Sequence, residues 1–125
     1  MSEYAPGVCN IGKNEIRKRY ALAVAAFVIA AVYSYAVLAF ALPHWALLIS
    51  IIPLLMGFEG FYQGYFHFCA GFAAAGRYDL SGSEDSKGQV TDAASHRKDL
   101  AKAGQIHLYS IISAIIVAAI IYLAL

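Results

Sequence analysis

Residues 20–42 form an unbroken run of twenty-three positions without a charged side chain. As a helix rising about 1.5 Å per residue, the run is long enough to cross a hydrocarbon layer about 30 Å thick. A secretory leader carries a shorter apolar stretch, about 7–15 residues, and starts earlier. Here nineteen residues come first, so the run reads as a retained transmembrane helix. Asn14 is the expected N-cap, Glu15 suits the first turn, and Pro43 is the stop.

Two further apolar runs follow. Residues 45–76 would make a second transmembrane helix of about 48 Å, longer than a bilayer requires. A kink at Pro53, or a break within residues 56–60, is expected to absorb the excess. Only Pro43, His44 and Trp45 separate the first two runs, so those helices must be antiparallel neighbours. Residues 77–103 are polar and charged and form a loop and the start of a helix. Residues 81–88 are its flexible tip, and Thr91 or Asp92 caps the helix that follows. Residues 104–125 are the third span.

Composition agrees with this pattern. The chain has 125 residues, 61% hydrophobic and 14% charged, whereas soluble domains run near half apolar and a quarter charged. A chain of this size cannot bury so much apolar surface in its own core, which leaves lipid as the solvent for the excess. A net charge of +1 offers no field for nucleic acid, and two cysteines are too few for a disulfide scaffold. All nine lysines and arginines lie before Tyr20 or between Arg77 and Lys102. By the positive-inside rule the N-terminal segment, residues 1–19, and the long loop face the cytoplasm, and the C-terminus lies outside. The expected fold class is an all-α integral membrane protein with three transmembrane helices, multi-pass in the cytoplasmic membrane of a prokaryote.

The second run carries the candidate chemistry. At about 100° per residue, Gly57, Gly60, Gly64 and Gly71 fall on one side of a continuous helix. They form a groove that admits a close helix neighbour. Beside it lie Glu59, Gln63 and His67. Glu59, near the middle of the run, is the one acid in any span, and an ionised acid at bilayer depth costs about 2.5–3.5 kcal/mol on insertion scales. It must be partnered, hydrated or protonated. Either it clamps a neighbouring helix, with Tyr33, Ser34 or Tyr35 as partner, or it lines an ion path with Gln63 and His67; the clamp is preferred. His67 and His107 reach similar depths and would suit a haem b or a shared metal, with two interfacial histidines as the plainer reading. The charged turns around Asp92, Arg97, Lys98, Asp99 and Lys102 read as a solvated face.

The N-terminal Cys9-Asn10-Ile11-Gly12 followed by Glu15-Ile16-Arg17-Lys18-Arg19, with the stretch His67-Phe68-Cys69-Ala70-Gly71-Phe72, resembles a family of small prokaryotic multi-pass membrane proteins. Their pattern commonly has Pro where this chain has Lys13. The resemblance covers about a third of the chain and implies no activity. It does imply that residues 9–12 fold back against the inner ends of the helices.

These features lead us to expect an accessory or structural subunit of a larger membrane complex, such as a membrane oxidoreductase. It would be no enzyme by itself, would require no cofactor, and would touch other membrane subunits and lipid. The alternatives are a homo-oligomeric channel or transporter lined by Glu59, Gln63 and His67, and a haem-b anchor using His67 and His107.

Overall fold

The corner at Pro43 is prepared by the residues before it. In the computed structural model, which describes residues 4–81 and 87–125, helix α1 (Lys13–Ala39) is capped by Phe40, and Ala41 adopts a φ of 52°. The Leu42 amide then donates to the Val37 carbonyl at 3.0 Å and the Ala41 amide to Leu38 at 3.3 Å. This nested pair satisfies the last carbonyls of a helix, and Pro43 cannot prolong it. A 3-10 helix (His44–Ser50) turns the chain back into α2 (Ile51–Tyr65). Pro53 sits in the first turn of α2, where a missing amide costs little, so the change from 3-10 to α winding takes the place of the expected kink.

The second run is not one helix over residues 45–76. It ends at Tyr65, turns through Phe66–Cys69, and resumes as the short α3 (Ala70–Ala75). The physical cause is a second closed helix end. His67 takes a φ of 56°, its amide donates to Gly64 at 3.3 Å, and the Phe68 amide donates to Gln63 at 2.9 Å. The same device closes α3, there with Gly76 at a φ of 69°. A left-handed residue in these positions is usually glycine, so the histidine gave no sequence signal of a stop.

After α3, β1 (Arg77–Asp79) and β2 (Lys87–Gln89) pair antiparallel, with Tyr78 opposite Gly88. The expected flexible tip lies mostly in residues 82–86, outside the described residues. Helix α4 (Ala93–Ala124) begins on Asp92, whose carboxylate accepts from the Ser95 amide at 3.2 Å. The cap expected at Asn14 falls instead on Gly12, because residues 10–14 are already engaged with the segment after β1. Among the described residues, three helices are long and apolar enough to cross a membrane: Lys13–Ala39, His44–Tyr65 and Ala93–Ala124.

Small residues draw these helices together. Ala23, Ala26, Ala30, Ser34 and Val37 are the buried row of α1, and Ala103, Ile106, Ser110, Ala114 and Ala118 that of α4. Between them, Leu54 of α2 packs with Ala30, Ala114 and Ala118. Without a water-driven hydrophobic term between helices in lipid, such close seams provide the van der Waals attraction. The outward faces are apolar throughout: Val24, Val28 and Val32 on α1, and Ile112, Ile116 and Ile120 on α4, are all exposed.

Candidate functional site

The residues that carry chemistry converge at one end of the bundle, where the N-terminal segment, the end of α2 and the first half of α4 meet. Glycines set the geometry. A Cβ on Gly60 would stand 2.7 Å from the Arg19 carbonyl oxygen, and one on Gly57 2.6 Å from the Phe27 ring. One on Gly64 would meet the Tyr20 ring at 3.1 Å. The groove expected to receive a neighbouring helix is therefore filled by α1 of the same chain. Gly71 does not belong to it: it lies on α3, exposed, with only the Cys69 sulfur near its Cβ position, at 3.7 Å.

This packing fixes the depth of Glu59. Gly60 rests on Arg19 and Ala23, so Glu59 stands beside the first turn of the apolar run of α1. The end of α2 at Tyr65 is about 9 Å away along the helix. Glu59 therefore lies toward the Tyr65 end of the apolar helix His44–Tyr65 rather than at its centre. The sequence places Glu59 near the middle of a run that extends to residue 76, whereas α2 stops eleven residues sooner, at Tyr65.

Glu59 is held by groups on two helices. Gln63 donates through Nε2 to Oε1 at 3.0 Å, and His107 of α4 places Nδ1 2.6 Å from Oε2. Gln63 in turn accepts from Arg19 Nε at 3.2 Å, and Arg19 pairs with Glu15 at 3.3 Å. Lys18 reaches the other oxygen of Glu15 at 2.9 Å. A continuous polar chain, Glu15–Arg19–Gln63–Glu59–His107, therefore ties α1 to α2 to α4. Among the described residues, none of the partners expected for Glu59 bonds it. Tyr33 donates to the Ala46 carbonyl at 2.8 Å, Ser34 is buried without a side-chain partner, and Tyr35 is exposed. A neutral His107 that donates from Nδ1 keeps Nε2 as an outward acceptor, the arrangement by which a carboxylate orients an imidazole. The His107 side chain is 52% exposed.

Arg19 is the residue that sequence reasoning missed. In the sequence it counts only among the basic residues before Tyr20. Its guanidinium instead bonds Gln63 and the Cys69 sulfur, the latter at 2.8 Å, and lies 6.0 Å from the centre of the Phe72 ring. The planar fork offers donors from separate nitrogens in fixed directions, whereas the three donors of an ammonium radiate from a single atom.

The turn at Phe66–Cys69 is closed by the N-terminal segment. Asn10 is fully buried, and its side chain matches the backbone of Cys69 on both sides. Nδ2 donates to the Cys69 carbonyl at 3.0 Å, while Oδ1 accepts from the Cys69 amide at 2.6 Å. The Asn10 amide donates to His67 at 3.2 Å, and its carbonyl accepts from Asp79 at 2.9 Å. Gly12 completes the seal: any Cβ there would lie 2.4 Å from the Leu80 backbone. Cys9 is buried, and burial pushes its thiol above the ordinary range. Asp99, read from sequence as solvated, is buried beneath this segment and accepts from the Tyr4 hydroxyl at 2.8 Å and the Gly7 amide at 2.7 Å. Burial, then the Asp99 carboxylate, push the Tyr4 phenol well above its usual range.

His67, the other expected intramembrane polar residue, lies in the turn beyond α2 with its side chain exposed. It is not on a helix face with Glu59 and Gln63. Among the described residues, no three His, Cys, Asp or Glu side chains converge as ligands to one metal. Comparison of the chain with protein-family models, curated proteins and solved structures returned no match.

Proposed function

We propose that this chain is a structural, non-catalytic accessory subunit of a larger assembly in a prokaryotic cytoplasmic membrane, such as a membrane oxidoreductase. The observation that carries the reading is the closed pairing of Glu59 with His107 and Gln63, extended through Arg19 to Glu15. Ionisable groups in a membrane protein mark a path when they are strung along its normal. Here they run from α1 across α2 to α4, which suits a strut that sets the angles of three helices. Between α1 and α2, toward the other end, Leu22, Ala26, Ile52 and Met56 line an apolar groove of about 250 Å³ of the kind a neighbouring helix or an acyl chain fills. The N-terminal segment and the hairpin face the cytoplasm, in keeping with the distribution of lysine and arginine.

Purification of the tagged chain from its native membranes under mild detergent tests this directly. A stoichiometric partner of different sequence is expected, and a pure self-oligomer would instead promote the channel reading. Accessible cysteines placed at Lys87 and at Leu125 should label from opposite sides of the membrane, Lys87 from the cytoplasm; labelling of Lys87 from outside reverses the orientation.

A further inference from the structure

The second concave feature lies outside the polar chain, where the N-terminal segment meets the basic part of α4. An open cavity of about 460 Å³ is lined by Pro6, Gly7, Lys98, Ala101, Lys102 and Gln105. The four α4 residues are spaced three and four apart, so they form one stripe of the helix. Gly7 closes the opposite wall, its Cβ position 3.2 Å from the Lys98 carbonyl. Asp99, the nearby acid, is turned inward and occupied by Tyr4 and Gly7. Among the described residues, neither Lys98 nor Lys102 is paired with a carboxylate. The cavity therefore presents two ammonium groups one turn apart over a floor of backbone and methylene.

Its position relative to the bilayer identifies the class of ligand. Lys102 Nζ stands 4.1 Å from the centre of the Phe66 ring, and Gln105 donates to the Tyr109 hydroxyl at 3.1 Å. Phe66 and Tyr109 belong to a cluster with Tyr62 and Tyr65, at the level where aromatic rings settle against headgroups. Further along the same side of α4, Leu108, Ile112 and Ile116 are exposed and apolar. Cations, then amide and phenol, then aliphatic side chains follow one another in the order of a phospholipid's phosphate, ester region and acyl chains.

We propose that this cavity binds the phosphate of an anionic phospholipid, with Lys98 and Lys102 on the headgroup and the acyl chains along Leu108, Ile112 and Ile116. The proposal rests on the membrane-spanning reading of the three helices. Juxtamembrane basic residues each contribute to anionic-lipid affinity, and removal of both lysines is expected to weaken binding about 25-fold.

The test uses the full chain reconstituted into vesicles of phosphatidylcholine alone or mixed with phosphatidylglycerol. Native mass spectrometry then counts the phosphatidylglycerol retained after release into detergent. One retained lipid is expected, lost in Lys98→Gln/Lys102→Gln and in Ala101→Glu, which keeps both lysines but sets a negative charge in the cavity. Arg17→Gln, an exposed basic residue elsewhere on this end, should retain it, with helical content unchanged in all variants. Equal loss in Arg17→Gln would overturn the proposal in favour of diffuse surface attraction. Inorganic phosphate that stabilises the chain in phosphatidylcholine and displaces the lipid would overturn the lipid as source and assign the cavity to free phosphate. A chain that fails to float with vesicles of either composition defeats the membrane-spanning reading itself.

Discussion

Replacement of Gly60 by alanine tests the helix contact on which the site geometry depends. The added Cβ would sit 2.7 Å from the Arg19 carbonyl oxygen, where ordinary contact begins at about 3.4 Å. The oxygen belongs to the α1 backbone, so no rotamer change relieves the clash, and α1 and α2 must part by about 0.7 Å. A gap of that size forfeits a quarter to a half of each dispersion contact it opens, including those of Gly57 on Phe27 and Gly64 on Tyr20. Overpacking of this kind costs about 1–3 kcal/mol. The usual gain of alanine over glycine in helices offsets little, because in lipid the separated helix keeps its backbone bonds. Gly64→Ala meets only a Tyr20 ring that swings aside and should lose less. Gly71→Ala has open space and should be neutral or slightly stabilising. Reversible unfolding in mixed micelles, followed by circular dichroism, ranks the three. Equal stability of Gly60→Ala and Gly71→Ala would refute the close approach and, with it, the register of α1 on α2 that sets Glu59 beside Arg19.

Asn10→Ala orphans the Cys69 amide, at about 1–3 kcal/mol, while the Cys69 carbonyl keeps the Ala73 amide at 3.0 Å, and the change should expose Cys9 to thiol reagents that leave the parent chain unlabelled. His67→Gly relieves a left-handed histidine and should stabilise the chain by about 1 kcal/mol in the same unfolding assay; a loss would mean that the imidazole makes a contact worth more than the strain. Glu59→Gln keeps an acceptor for Gln63 or His107 and should preserve assembly, whereas Glu59→Leu leaves both partners unsatisfied at about 1–3 kcal/mol. Abolished transport in an assembled Glu59→Gln chain would favour the channel. The Asp92 carboxyl is held below its usual range by the hydroxyl and amide of Ser95. With a depressed folded pKa, its contribution is present above the unfolded value, about 3.9, and disappears as pH falls through the folded one. Amide exchange at Ser95 should therefore accelerate on acidification below about pH 4, and Asp92→Asn should abolish that dependence.

The three long apolar helices were legible because unbroken hydrophobicity over twenty residues has few physical solutions. The end of α1 before Pro43 and the cap at Asp92 were legible for equally local reasons. What escaped was decided by tertiary contact. His67 stops α2 without a proline or glycine, because Asn10, fifty-nine residues from its partner Cys69, secures the turn. The strands at Arg77–Asp79 and Lys87–Gln89 are too short to show an alternating pattern. Arg19 and Asp99 carried charges that composition assigns to water, yet both serve residues distant in sequence. The glycine spacing at Gly57, Gly60 and Gly64 correctly announced a close helix neighbour; it had no means to say that the neighbour was α1, or that Gly71 stood apart.

The seal made by the N-terminal segment has a consequence for the order of synthesis. Tyr4 and Gly7 bond Asp99 across separations of 95 and 92 residues, so the segment emerges well before its partner. At about 5–20 residues per second, it waits about 5–20 s at the membrane surface before its final partner exists. During that interval α1 and α2 can insert and pair, but the turn at Phe66–Cys69 awaits its last brace. A folded domain fused ahead of Tyr4 would compete for the segment in this window, whereas the same domain attached after Leu125 would arrive once the seal had closed.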